Sequence, residues 1–115
     1  MRKHVTGNVP IFTLNAMTTT ATSVVCQCEQ LDTLLVSGIW SATTAASTVN
    51  TWVSNDNVNW FDLGASYQAS LNTLTGSFMF KITDAIYSYV KLIYTKGGTS
   101  SGTLNAWFKG SSKGA

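Results

Sequence analysis

The sequence predicts an all-β protein, a single antiparallel β-sandwich of the jelly-roll or Greek-key type with about eight short strands. Short segments with alternating apolar and polar residues, or rich in β-branched and aromatic residues, recur about every ten residues. Turn signals separate these segments, and none has the period of an amphipathic helix. Strands without interleaved helices favour an antiparallel sandwich over a parallel sheet.

The 115-residue chain has the length of one domain. We divide it into a first strand or N-terminal arm over residues 1–17, a β-sandwich domain over residues 18–110, and a flexible tail over residues 111–115. The arm is basic at its start and then apolar, with no evident hairpin partner. We therefore expect it to reach a neighbouring subunit and complete that subunit's sheet.

Three strands are predicted in the first third of the chain. Pro10 favours an edge strand, and residues 11–17 continue as an extended segment. Residues 23–30 form the next strand, with Val24, Cys26 and Cys28 on one face. Residues 31–40 are apolar on both sides, as in a central strand, with a bend or bulge at Ser37-Gly38.

A hairpin over residues 48–63 is the strongest local signal. The strand 48–54 is followed by the turn Asn55-Asp56-Asn57 and by a second short strand that contains Trp60-Phe61. Asn and Asp suit this turn because their side chains hydrogen-bond to nearby backbone and tolerate left-handed dihedrals. Trp60 supplies a large apolar surface that would anchor the turn on the sheet.

The last third of the chain continues the strand pattern. Residues 64–76 lack periodicity and are predicted to be a loop, after which residues 77–83 and 89–95 form strands. Residues 96–102 are a Gly/Ser hairpin loop, so residues 103–109 are expected to pair back onto the preceding strand. The side chains predicted to face inward are Phe78, Phe80, Ile82, Val90, Leu92, Tyr94, Leu104, Ala106 and Phe108.

Cys26 and Cys28 are the only cysteines in the chain. Residues two apart on a strand have Cα atoms about 6.5–7 Å apart, at or beyond the range of a disulfide. We therefore expect two buried thiols. His4 is the only histidine, so a zinc site is not expected. No metal or other cofactor is predicted.

Only 10% of the residues are charged, and the net charge is +2. Nucleic-acid binding requires clustered basic residues, and these are absent, as is an apolar run long enough to span a membrane. We expect neither nucleic acid nor membrane as a partner. Many outward positions must instead be uncharged or aromatic, which is typical of surfaces that other subunits cover.

Three segments carry a resemblance to a known family. The succession LLVSGIW (34–40), TVNTWVSNDNVNWFDL (48–63) and FKITDAIYSYVKLIYTKGGTSSGTLNAWFKG (80–110) resembles small structural proteins of tailed bacteriophages. In those, an S-N-D-G-x-N-W-like turn precedes an aromatic-Tyr-Val-Arg-Leu-type strand and a Gly/Ser hairpin. The turn is also similar to that of discoidin-like jelly rolls. Asn57 replaces the pattern's Gly, and Lys91 its Arg.

The resemblance implies a non-enzymatic virion structural protein, placed on the capsid as a decoration protein or in the neck or tail. Its partners would be other virion proteins and copies of itself, in a homo-oligomer. It would be made in the bacterial host cytoplasm and reside in the virion. No catalytic residue is predicted.

An alternative is a carbohydrate-binding module for recognition of the host surface. Aromatic rings stack on sugar rings, and Asn and Asp side chains bind hydroxyl groups. The residues predicted to form this surface, or an assembly surface, are Trp52, Asn55, Asp56, Tyr67 and Trp107. A glycosidase that uses Asp56 and Asp62 as a carboxylate pair is a third and weaker hypothesis.

Overall fold

The computed structural model describes residues 3–4, 7–28, 33–41, 47–83, 87–97 and 102–111. A short 3-10 helix spans Ala65–Tyr67. The strands are β1 (Lys3–His4), β2 (Gly7–Ala16), β3 (Ala21–Thr22), β4 (Cys26–Gln27), β5 (Thr33–Ser41), β6 (Ser47–Ser54), β7 (Phe61–Asp62), β8 (Gln68–Leu71), β9 (Thr75–Thr83), β10 (Tyr89–Thr95) and β11 (Thr103–Ser111).

The strands form two sheets. Sheet A has the order β1-β4-β10-β6-β7, with β3 also paired to β10 and β8 also paired to β6. Sheet B has the order β2-β11-β5-β9. All pairs are antiparallel except that of β1 with β4. The predicted antiparallel β-sandwich is therefore confirmed.

The connections are those of a jelly roll. Strands β3 and β4 both lie along β10, and β7 and β8 both lie along β6, so each pair occupies one strand position. Leaving β1 aside, eight positions result, four in each sheet. From one position to the next, the chain changes sheet at every connection except that from β6 to β7. This alternation is the double Greek key of a jelly roll.

The core lies between the two sheets. Along β6, β10, β5 and β11, every second side chain is buried, as expected for strands with one face on a core. The largest fully buried side chains are Tyr94, Phe108, Met17, Leu34, Leu71, Leu92 and Leu104. The predicted inward residues of β10 and β11 are all buried, and those of β9 face the same side, with Phe78 and Phe80 half-buried.

The N-terminal segment has a partner in its own chain. Strand β2 is hydrogen-bonded to β11 and forms one edge of sheet B. Residues 7–16 thus complete the sheet of their own molecule, contrary to the expectation that they lack a partner there. The division between an arm and a domain at residue 17 stays a prediction. In the predicted tail, Ser111 ends β11, and residues 112–115 lie outside the described residues.

The predicted bend at Ser37-Gly38 is wrong. Both residues pair in unbroken register with β9 on one side and β11 on the other. Glycine is present for another reason: a Cβ at position 38 would lie 2.4 Å from Cζ of Phe78, whose ring covers it. The predicted central position of this strand is confirmed, because β5 lies between β11 and β9.

The predicted strand 23–30 is broken by a bulge. Thr22 pairs with Ile93 and Cys26 with Val90, so three residues of this segment oppose two residues of β10. The Ser23 hydroxyl accepts a hydrogen bond from the Leu92 amide at 2.8 Å. The bulge turns Val24 outward, so it does not share the buried face of Cys26 and Cys28. Residues 29 and 30 lie outside the described residues.

Two further predictions about connections are wrong. The predicted loop 64–76 contains the 3-10 helix and β8, which pairs with β6, and β9 already begins at Thr75. Strand β11 does not pair back onto β10; it pairs with β2 and β5 in the other sheet. The segment between β10 and β11 therefore crosses from sheet A to sheet B. Its residues 98–101 lie outside the described part of the chain.

Candidate functional site

The turn after β6 is held together by Asp56. Its Oδ1 accepts hydrogen bonds from the amides of Val58 (2.9 Å) and Asn59 (2.8 Å). Its Oδ2 accepts one from the Asn59 side chain at 2.7 Å. The Ser54 hydroxyl donates to Oδ1 and accepts from the amide of Asn57 at 2.9 Å. These bonds satisfy the backbone of a loop that is longer than the predicted tight turn.

Charge and backbone conformation agree with a structural role for this turn. The hydrogen bonds from Asn59, Val58 and Ser54 stabilise the carboxylate and hold the pKa of Asp56 well below its usual range. Asn57 adopts the left-handed conformation, with φ of 62°, where the phage pattern has Gly. The Asn55 side chain accepts a hydrogen bond from the Ser88 amide at 3.3 Å and connects the turn to the start of β10.

The five residues predicted to form one surface do not converge. Trp52 lies on the outer face of sheet A and Trp107 on the outer face of sheet B, on opposite sides of the molecule. Asn55 and Asp56 lie in the turn at one end. Tyr67 is half-buried, and its ring packs edge-on against Phe80, with centroids 6.4 Å apart. The residues thus belong to different parts of the sandwich.

Aromatic and charged side chains meet on the outer face of sheet A. Trp52 is half-buried there, with Lys91 as its cross-strand neighbour on β10 and Asp62 as its neighbour on β7. The Lys91 ammonium lies 4.1 Å from the ring centroid of Trp60 and makes a cation–π contact. Trp60 therefore anchors the turn through this face of the sheet.

Amide groups extend this face towards β8. The Asn50 Nδ2 donates hydrogen bonds to Asp62 Oδ2 (3.1 Å) and to Gln68 Oε1 (2.8 Å). Three polar side chains on three strand segments are thereby fixed relative to one another. We call this surface the polar-aromatic face, and it consists of Asn50, Trp52, Trp60, Asp62, Gln68 and Lys91. One acidic and one basic group leave it without net charge.

The outer face of sheet B carries apolar side chains among Ser, Thr, Asn and Lys side chains. Ile39 is 49% exposed and Met79 is 68% exposed. Trp107 is half-exposed between its cross-strand neighbours Ser37 and Pro10. We call this surface the apolar face, and it consists of Pro10, Leu35, Ile39, Met79 and Trp107. Two lysines, Lys81 and Lys109, flank Leu35 at one end of it.

Cys26 and Cys28 are both buried thiols, as predicted. The Cys28 thiol donates a hydrogen bond to the Tyr87 carbonyl oxygen at 3.0 Å. In the described residues there is no pocket and no group of three or more His, Cys, Asp or Glu side chains that would hold a metal ion. Nor does the described part of the chain contain a helix with the length and hydropathy for a membrane crossing.

No family model and no curated protein matches the chain. Solved structures do. The chain is similar to the SPBc2 prophage-derived protein YomS, with 12% identity and a TM-score of 0.61, over 90% of this chain and 93% of that one. It is also similar to the N-terminal cellulose-binding domain of Cellulomonas fimi β-1,4-glucanase C, with 12% identity and a TM-score of 0.50, over 94% of this chain and 81% of that one.

These similarities show the fold. A CBM4 structure is a third neighbour, with 13% identity and a TM-score of 0.51, over 78% of this chain. This chain spans 61% of that structure's length, less than two thirds. The likeness to these three structures agrees with the jelly roll described above.

Sequence reasoning missed part of the polar-aromatic face. Gln68 and Lys91 join Asn50 on this face because their strands are neighbours in sheet A. Along the chain they lie 18 and 41 residues after Asn50. The alternation of inward and outward residues on β6 and β10 correctly predicts that Trp52 and Lys91 face outward. Residues 68–71 lack periodicity and are predicted to be a loop, so the pairing of β8 with β6 that completes the surface does not follow from the sequence.

Proposed function

We propose that the protein is a non-enzymatic structural component of a tailed-phage virion, a capsid decoration protein or a neck or tail component. It acts by assembly with other virion proteins and with copies of itself, and it resides in the virion after synthesis in the bacterial host cytoplasm. The observation that carries this proposal is the apolar face of sheet B, which presents Ile39, Met79 and Trp107 to the outside.

The apolar face supplies a driving force for association. Full burial of an Ile or Met side chain contributes about 1.5–3 kcal/mol, and that of a large aromatic ring a similar amount. A partner that covers Ile39, Met79 and Trp107 therefore gains several kcal/mol from this patch alone. Because Lys81 and Lys109 lie at one end, the complementary surface is apolar with acidic side chains at the matching end.

Three further observations support an assembly role. Only 10% of the residues are charged, which leaves much of the exterior uncharged. The prophage-derived protein of similar fold is matched over nearly its whole length, so a free-standing sandwich of this size occurs in a phage-related protein. The resemblance of the segment 48–63 to structural proteins of tailed phages points the same way.

The test is a double variant of the apolar face, Ile39→Thr with Trp107→Thr, on the two central strands of sheet B, β5 and β11. Threonine is β-branched and suits strands, and at both positions it removes apolar surface. Ile93→Thr on the outer face of sheet A is the matched control. We expect the double variant to fold, as shown by circular dichroism, but to be lost from purified virions and from oligomers. Incorporation equal to that of the wild type would overturn the proposal.

A second candidate function, glycan binding, is favoured by the polar-aromatic face. Trp52 and Trp60 offer rings for stacking on a sugar, and the fixed Asn50, Asp62 and Gln68 offer hydrogen-bonding groups for hydroxyls. The lack of net charge there suits a neutral saccharide. Similarity of fold to a cellulose-binding domain and to a CBM4 structure supports this candidate.

A glycan array followed by calorimetry with any hit tests the second candidate. Trp52→Ala should abolish binding if sugars occupy the polar-aromatic face, whereas Trp107→Ala, on the opposite sheet, should leave it unchanged. Binding that depends on Trp107 instead, or no binding to any neutral saccharide, would reject this surface as a sugar site. The assembly proposal does not depend on this result.

A further inference from the structure

The sandwich has four sheet edges, and they differ in their capacity to pair with another strand. Sheet A ends at β1 and at the strand position of β7 and β8, and sheet B ends at β2 and at β9. Unpaired edges present backbone N–H and C=O groups that recruit further strands. Proteins block them with proline, bulges, short strands or interruptions.

Three of the four edges carry such features. Strand β2 contains Pro10, which lacks an amide donor. The register of β2 with β11 is irregular, and Leu14 of β2 is in the left-handed conformation, with φ of 48°. The edge formed by β7 and β8 is interrupted by the 3-10 helix Ala65–Tyr67. Strand β1, in the described part of the chain, is two residues long.

Strand β9 is different. It has nine residues, from Thr75 to Thr83, and pairs with β5 in unbroken register over its whole length. No other strand among the described residues pairs with its second side. It contains no proline, no bulge and one charged residue, Lys81. Among the described residues, β9 is therefore the one long, regular edge without a strand partner on its second side, and Tyr67 of the 3-10 helix packs against its Phe80.

We propose that β9 pairs antiparallel with β9 of a second copy, about a twofold axis at Met79. The four strands of sheet B then continue into the four strands of the second copy. This inference rests on the proposed self-assembly and names the strand that mediates it. Met79 is the midpoint of β9, so this is the register in which all nine residues pair. The pairing is isologous, with the same surface used on both copies.

Side-chain chemistry fits this register. Outward residues lie opposite one another in the pairs Met79 with Met79, Ser77 with Lys81, and Thr75 with Thr83. The two Lys81 side chains face serines, so no like charges are directly opposed. On the inner side, Phe78 lies opposite Phe80 and Gly76 opposite Ile82.

The proposed pairing also extends the apolar face. Met79 is 68% exposed at the open edge, next to Ser37 of β5 and one row from Ile39. Two methionines at the axis would cover part of each other and join the two apolar faces into one continuous surface. The dimer would thus present to other virion proteins a patch of about twice the size.

Charge substitutions at Ser77 test the register. Ser77 and Lys81 are four residues apart on one strand, about 13–14 Å, too far for an ion pair within one molecule. Ser77→Lys places two lysine pairs across the axis, and Ser77→Glu places two ion pairs there. We expect the dimer dissociation constant from sedimentation equilibrium to rise in the first variant and fall in the second, each by about 2- to 30-fold.

The double variant Ser77→Lys with Lys81→Glu restores opposite charges and should recover dimerisation. A monomeric wild-type protein at high micromolar concentration, or a dimer insensitive to Ser77→Lys, would overturn the inference. If the apolar-face variants lose assembly while the Ser77 variants do not, β9 pairing fails and the proposed function stands. If neither set affects assembly, both fail.

Crosslinking gives an independent geometric readout. In the proposed dimer, Met79→Cys places two thiols directly opposite each other, with Cβ atoms about 4.5–5.5 Å apart. A short bifunctional maleimide should join them, whereas Ile39→Cys, one strand further in, should dimerise without being crosslinked. Cys26 and Cys28 are buried, and the wild type is the control for them. Crosslinking at Ile39 but not at Met79 would indicate face-to-face stacking and contradict the edge pairing.

Discussion

The ring of Phe78 lies directly over Gly38, its cross-strand neighbour on β5: a Cβ at position 38 would be 2.4 Å from Cζ of the ring. The same relationship recurs one step along, where a Cβ on Gly76 would lie 2.4 Å from Cζ2 of Trp40. Trp40 and Phe78 are stacked with centroids 6.4 Å apart. Each glycine thus provides the space for the aromatic side chain opposite it.

Substitution of Gly38 by alanine should destabilise the fold. The added methyl group must displace the Phe78 ring from a packed position, and such overpacking costs about 1–3 kcal/mol. Urea unfolding of Gly38→Ala measures the change in the free energy of unfolding. Ser37→Ala, on the outer side of the same strand, is the control and should change it by no more than about 0.5 kcal/mol. Equal stability of Gly38→Ala and wild type would refute this explanation of the glycine.

The Tyr94 hydroxyl connects three parts of the chain inside the core. It hydrogen-bonds to the Met17 carbonyl oxygen at 2.8 Å and to the Ser47 hydroxyl at 3.0 Å, and the Gly97 amide also donates to Ser47. Tyr94→Phe leaves these buried polar groups with fewer partners, so we expect a loss of about 1–3 kcal/mol. Thermal and urea unfolding measure it. Tyr67→Phe, at a half-buried ring, is the control, and a similar loss there would argue against a specific role of the network.

Removal of the Thr51 hydroxyl is expected to stabilise the fold. Its side chain is fully buried, and its hydroxyl has no hydrogen-bond partner among the described residues. Thr51→Val keeps the shape and removes the unsatisfied group, so the free energy of unfolding should rise by about 1 kcal/mol. Thr48→Val, outward on the same strand, should have little effect. A loss of stability in Thr51→Val would show that the hydroxyl has a partner after all.

The lowered pKa of Asp56 predicts that the stability of the fold depends on pH. Its pKa is lowered in the folded state, so below about pH 4 the unfolded chain takes up a proton on this group before the folded chain does. Stability from its hydrogen bonds is therefore present at neutral pH and is lost as the pH falls. Asp56→Asn should be less stable than wild type at pH 7, and the difference should narrow towards pH 3. Urea midpoints between these pH values measure it; a constant difference contradicts the assignment.

Local alternation predicted the fold class and most inward faces. The segments 77–83, 89–95 and 103–109 alternate regularly, and the structure places their predicted apolar sides on the core. Alternation did not reveal the bulge at Ser23, because that residue falls within the predicted strand 23–30 and its role depends on the Leu92 amide, 69 residues away. Likewise, Gly38 reads as a bend until Phe78 is known to lie opposite it.

The candidate surfaces were less predictable than the strands. Trp52 and Trp107 were correctly expected to face outward, yet they lie on different sheets. Which sheet a strand joins is decided by pairing with distant segments, and a period of two contains no information on that choice. Whether the five residues predicted from the sequence bind anything stays a prediction.

A molecule with one usable edge can accept one neighbour by strand addition and then has none left to offer. The proline and irregular backbone of β2, together with the interruption between β7 and β8, would therefore end growth at two copies. Growth into a filament by repeated strand addition is then blocked. Larger assemblies would have to be built through side-chain surfaces such as the apolar face.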